Sequence, residues 1–145
     1  MLSELYNEKI LGFAADIPRL GRLDAPDGSS TQRSRLCGSQ VTVDLRMADG
    51  RVADFGHEVK ACALGQAASS IMARHVVGAT LDELQTVRDQ MAAMLKEGGP
   101  VPDGRFEELR FLEPVREHKS RHASVMLTFD ATLEAAKAAL AKAAA

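Results

Sequence analysis

The sequence predicts an α+β fold: a small antiparallel sheet with helices packed mainly on one face. Three observations carry this. Val41, Val43, Leu45 and Met47 alternate with Thr42, Asp44 and Arg46, the period of a half-buried strand. Asp49-Gly50 then marks a tight turn into a second arm, Val52 to Val59, so that the two arms form a hairpin. Beyond Cys62 the apolar spacing is helical, and strands followed by a run of helices is the α+β order. A chain of 145 residues is large enough for one domain over residues 1–145 with its own core.

The elements follow in order. Leu2, Leu5, Tyr6, Ile10 and Phe13 fall on one face of an amphipathic helix over residues 2–13. Residues 14–35 carry Pro18, Gly21, Pro26, Gly28 and a Ser29-Ser30-Thr31 cluster, and read as a long loop without alternation. In the hairpin, Phe55, His57 and Val59 share a face, which makes His57 a residue of the sheet rather than a ligand. Small residues dominate the first two turns after Cys62, so this helix suits close packing, and Gly78 suits a left-handed stop after it. His75 in its last turn reads as a solvated cap. Thr80-Leu81-Asp82-Glu83 has the form of a capping box opening a helix to about Lys96, with Gly98-Gly99-Pro100 ending it. A short helix is expected around Phe106–Phe111, then a turn at Pro114 and a polar stretch to His122. Helical spacing resumes over residues 124–142, with a frayed Ala-rich end.

Bulk properties narrow the function. A net charge of −2, no basic cluster and no Trp argue against nucleic acid as a partner. No apolar run approaches the roughly 20 residues of a membrane span. The first residues lack the basic and apolar regions of a secretory signal, so a reducing cytoplasm is the expected compartment. Two cysteines there do not suggest a structural disulfide.

Those two cysteines are the chemical candidates. Cys37 precedes Gly38 where the long loop enters a strand, and glycine there permits close backbone approach. Cys62 stands between the second strand and a helix, where orphan N–H groups favour a thiolate. The hairpin leads away from Cys37 and returns to Cys62, so both thiols are expected at one end of the sheet, within roughly 8 Å. Converging thiols suit soft-metal or sulfur chemistry, although the spacing alone is no zinc or haem signature.

The chain resembles the U-type iron–sulfur cluster scaffold family (NifU N-terminal, IscU and SufU). Ile17-Pro18-Arg19-Leu20-Gly21-Arg22-Leu23 resembles the family's Asn-Pro-Arg-Asn-x-Gly-x-Leu segment, and Cys37-Gly38-Ser39 falls on its Cys-Gly-Asp. Asp54-Phe55, Ala61-Cys62-Ala63-Leu64 and Ala68-Ser69-Ser70 match the second-cysteine region and its helix. Arg116 to Leu133 resembles the third-cysteine segment, with Arg121, Leu127, Phe129 and Leu133 in register. The family core has three strands, so the resemblance asks for a third strand before Cys37. By the resemblance the family's aspartate is Ser39 here and its third cysteine is Ser124, with His122 nearby either as a substitute imidazole ligand or as a solvated residue of a basic loop.

The resemblance implies a non-enzymatic scaffold holding iron or a nascent cluster, [2Fe-2S] or alternatively zinc, with Cys37, Cys62, Ser39, Ser124 and His122 as the metal-binding set. Its implied partners are a cysteine desulfurase and recipient apo-proteins. Two other readings remain: a sulfur acceptor carrying a persulfide on Cys62, and a regulatory paralogue that kept the fold without the metal site.

Overall fold

The computed structural model describes residues 6–36 and 38–144. Helix α1 (Glu8–Ala15) starts at Asn7, whose side chain accepts a hydrogen bond from the Ile10 N–H. It begins later than the apolar pattern suggests, since a cap residue rather than apolar spacing sets the start. The part of that pattern carried by Leu2 and Leu5 lies outside the described residues. Strands β1 (Gly28–Arg33), β2 (Gln40–Ala48) and β3 (Arg51–Lys60) form one antiparallel sheet in the order β1-β2-β3. Then come α2 (Ala63–His75), α3 (Leu81–Glu97), a 3₁₀ segment (Gly104–Glu117) and α4 (Lys119–Ala144).

The hairpin pairs Val41 with Val59, Val43 with His57 and Leu45 with Phe55, which puts the expected residues on one face. Asp49 (φ 53°) and Gly50 (φ 75°) are both left-handed, as a two-residue hairpin turn requires. Thr80 and Glu83 form the reciprocal capping box, and Gly98 closes α3 at φ 69°.

β1 lies inside the stretch that reads as loop. Its residues are nearly all polar, so nothing in its own sequence alternates. Partners form it instead: Ser29 to Arg33 pair with Asp44 to Gln40, and Thr31 Oγ1 meets Thr42 Oγ1 at 2.8 Å. α4 lies against β1 and β2 on the face of Val41, Val43 and Leu45. The polar stretch before Ser124 is also different from expectation. The 3₁₀ segment runs through Pro114, and α4 opens at Lys119, so His122 and Ser124 are helical. The Ala-rich end is ordered helix to Ala144, with Ala135, Ala136 and Ala139 buried. His75 is half-buried and hydrogen-bonded to Glu108 rather than solvated.

On the other face, residues 22–29 are tied to β2 through Asp44. That buried carboxylate accepts from the Arg22 guanidinium at 2.7 and 3.0 Å, the Leu23 N–H at 3.0 Å and the Ser29 hydroxyl at 2.6 Å. Burial alone would raise its pKa, but these donors outweigh burial and hold the carboxyl below its usual range.

His57 fixes the neighbouring segment. It is fully buried, and its Nε2 stands 2.9 Å from the Pro18 carbonyl oxygen. A carbonyl only accepts, so Nε2 carries the proton, leaving a bare Nδ1 without a partner among the described residues. Burial pushes the imidazolium down in pKa, against a smaller opposing effect of the Pro18 hydrogen bond. The folded chain therefore binds a proton here less readily than the unfolded chain, whose imidazole titrates near 6.5. The stabilisation is complete above that pH and is lost as the pH falls below it. Urea unfolding should show stability declining from neutral toward acidic pH by up to about 1.4 kcal/mol per unit. His57→Gln should remove that component of the slope.

Candidate functional site

Cys62 is the N-cap of α2, with extended backbone at φ −67° and ψ 172°. β3 ends at Lys60 and α2 starts at Ala63, so the strand delivers the thiol directly to the helix mouth. The residue is half-buried and its thiol is free. Its Sγ lies 3.4 Å from Ser124 Oγ, and that hydroxyl lies 3.4 Å from Ser39 Oγ. Ser39 and Ser124 are both buried. Three positions separated widely in sequence thus meet: the loop before β2, the start of α2 and the first turns of α4.

Glycine makes the approach possible. A Cβ on Gly65 would stand 2.6 Å from Ser124 Oγ and 2.7 Å from Ala61 Cβ. The bare first turn of α2 therefore lets α4 bring Ser124 to the sulfur, as the run of small residues after Cys62 anticipates.

Opposing effects act on the thiol. Partial burial raises its pKa, while the Ser124 hydroxyl, the N–H groups of Gly65 and Leu64, and the positive charge of Arg121 lower it. The lowering effects win, and Cys62 sits below its ordinary value. Ser124 has one proton to give. With Cys62 as a thiol, Ser124 donates to Ser39 Oγ. With Cys62 as a thiolate, Ser124 must turn its proton to sulfur and accept from another hydroxyl, a rotation that costs little. Ser124→Ala should raise the Cys62 pKa and slow its alkylation near neutral pH about fivefold, the worth of one hydrogen bond. Iodoacetamide kinetics across pH measure both quantities.

Arg121 is a contributor that the residue-by-residue reading did not assign. The signal was available, since Arg121 precedes Ser124 by three positions and so shares its helical face.

The remaining candidates lie as follows. Cys37 is outside the described residues, and so is its separation from Cys62. Its flanks form a tight loop: the Ser34 N–H donates to the Ser39 carbonyl at 2.8 Å, and the Gly38 N–H to the Ser34 carbonyl at 3.0 Å. Gly38 has φ 72°, the left-handed conformation that glycine adopts without cost. His122 is buried, with Nε2 2.9 Å from the Val115 carbonyl oxygen, and it faces a cavity lined by Arg116 and Met126. It is neither solvated nor part of the Cys62, Ser124 and Ser39 hydrogen-bond chain. Among the described residues, no three His, Cys, Asp or Glu side chains gather as a ligand set. The donors that do gather are one thiol and two hydroxyls.

Comparison with known proteins gives consistent results. Residues 5–128 match the family model described as NifU-like N terminal domain. The crystal structure of a nitrogen-fixing NifU-like protein (N-terminal) from Brucella abortus is 55% identical, covers 97% of both chains and superposes with a TM-score of 0.94. The iron-sulfur cluster assembly scaffold protein IscU of Thermotoga maritima is 24% identical over 133 residues, or 92% of this chain and 93% of that protein. An Archaeoglobus fulgidus scaffold protein, IscU 1, is 27% identical over 92 residues, covering 63% of this chain and 60% of its own. No helix among the described residues is long and apolar enough to cross a membrane.

Proposed function

Because the chain belongs to the NifU-like N-terminal domain family of iron–sulfur cluster assembly scaffolds, we propose that it holds iron or a nascent cluster as cargo and passes it to apo-proteins. Cys62 and Cys37 supply the thiolates, and a cysteine desulfurase supplies the sulfur. A [2Fe-2S] unit is the proposed cargo, in the reducing cytoplasm where thiols stay reduced. The observation that supports this reading is the Cys62 thiol: activated, half-buried, and hydrogen-bonded to Ser124 with Ser39 behind it, the two positions that the resemblance assigns to the family's third cysteine and aspartate.

Ser39 and Ser124 adjust the chemistry. Neutral hydroxyls compete poorly with thiolates for soft metals, so Ser124 serves the sulfur as a hydrogen-bond partner, with Ser39 behind it, and the cargo is loosely held. Loose holding suits transfer. His122 orients the start of α4 through Val115 and so acts as a positioning residue.

The same thiol supports a second reading, a persulfide carrier. The Cys62 thiolate would attack the outer sulfur of a desulfurase persulfide. One S–S bond forms, one breaks, and the desulfurase cysteine leaves as thiolate, so no outside oxidant is required. Anaerobic incubation with iron and sulfide, followed by visible absorption and metal analysis, tests the scaffold reading. Iron and sulfide retained together support it, and a chain that retains neither overturns it. Incubation with desulfurase and cysteine, followed by mass measurement, reports a sulfur atom on Cys62 if the carrier reading holds.

A further inference from the structure

A cavity of about 730 Å³ opens beside the thiol site, between the loop after β1, the end of α3 and the start of α4. Its volume falls within the range of roughly 300–1,000 Å³ typical of small-molecule sites. The lining is charged in one sense: Arg33, Arg35, Arg88, Lys96, Arg116 and Lys119 all face it, against one carboxylate, Asp130. A chain of net charge −2 with 18 Lys and Arg has no electrostatic reason to gather these cations around one cavity.

Partners inside the protein account for few of them. Arg88 holds Asp130 at 3.0 Å, and Arg116 holds Glu113 at 2.8 Å. Arg33 reaches the neutral side-chain amide oxygen of Gln40, and among the described residues Arg33, Arg35, Lys96 and Lys119 have no ion-pair partner. Four cations therefore face the cavity without a carboxylate of their own. The apolar part of the lining is of opposite character, with Leu95 and Met126 contributing from the core. Like charges crowded over apolar surface repel one another unless an anion joins them.

We propose that this cavity binds a small amphipathic anion, with a phosphate or carboxylate head among the cations and an apolar body on Leu95 and Met126. An extended acidic peptide is disfavoured, since it would leave Leu95 and Met126 without an apolar partner. The site has a direct route to the thiol loop. Ser34, Arg35 and Leu36 form part of its lining, and the Ser34 N–H holds the carbonyl of Ser39. An occupant thus touches the segment that carries Cys37.

Naphthyl phosphate, naphthoate, neutral naphthol and inorganic phosphate, titrated into the full chain and followed by amide NMR shifts, test the proposal. Naphthyl phosphate or naphthoate should shift the amides of Ala92, Leu95, Ala123 and Met126, and the tighter of the two identifies the head group. Naphthol and inorganic phosphate should each bind at least about tenfold more weakly, since each lacks one half of the recognition. Lys96→Gln combined with Lys119→Glu alters two exposed side chains and should weaken the bound anion about tenfold or more without changing the far-UV spectrum. Three results would overturn the proposal: shifts mapping elsewhere, equal affinity in the double variant, or tighter binding of a glutamate-rich peptide than of either naphthyl anion.

Discussion

Gly28→Ala is expected to remove about 3 kcal/mol or more of folding stability and to lower the melting temperature by about 10 °C. A Cβ at this position would lie 2.0 Å from the Ala135 carbonyl oxygen and 2.7 Å from the Ala139 nitrogen. Both are backbone atoms of α4, so no rotamer change relieves the clash. Either β1 separates from β2 or α4 lifts from the sheet, and both movements open the core around Leu45, the residue opposite Gly28. With total stability of about 5–15 kcal/mol for a domain of this kind, the loss is a large share. Gly12→Ala is the internal control. Gly12 lies within α1 with no heavy atom near its absent Cβ, so the same substitution there should stabilise by up to about 1 kcal/mol. Thermal and urea unfolding of both variants, followed by circular dichroism, checks the opposite signs.

The second large effect concerns Cys62. Cys62→Ala should reduce zinc and iron affinity more than about 100-fold, because loss of a mere supporting partner already costs 10- to 100-fold. The sulfur is the strongest donor in the Cys62, Ser124 and Ser39 chain, and the two hydroxyls left behind are weak ligands. Ser124→Cys should act in the opposite direction. It places a second thiolate within contact of Cys62, and should tighten metal binding and slow release. Competition with a chromophoric chelator measures both. Equal affinities in the parent chain and Cys62→Ala would remove Cys62 from the ligand set.

The legibility of this fold in its sequence varies from element to element. The hairpin was plain, because β2 and β3 carry period-two apolar residues joined by the Asp49-Gly50 turn; the register shift between Arg46 and Met47 was not. Cys62 at a helix mouth was equally plain, since a strand pattern ends and a helical pattern begins around it. β1 was hidden, as its order comes from β2 and from the bare Gly28 contact with α4, neither of which is local. The start of α4 was hidden for a related reason. Lys119, Ser120 and Arg121 look like loop residues, and only packing shows that His122 and Ser124 point inward. Hence Ser124 could be placed through family resemblance but not through periodicity. Its distance to the sulfur needed the structure.

The sheet ends differently on its two sides. Along β3 the outer edge is already engaged: the Gly21 N–H donates to the His57 carbonyl and the His57 N–H to the Arg19 carbonyl at one end, and Val52 bonds to Gly78 and Ala79 at the other. β1 is only six residues long, and it presents Ser29, Thr31 and Arg33 to solvent. A sheet with one side occupied and the other short, polar and charged is a poor template for strand addition. The consequence is resistance to sheet-to-sheet aggregation at high concentration.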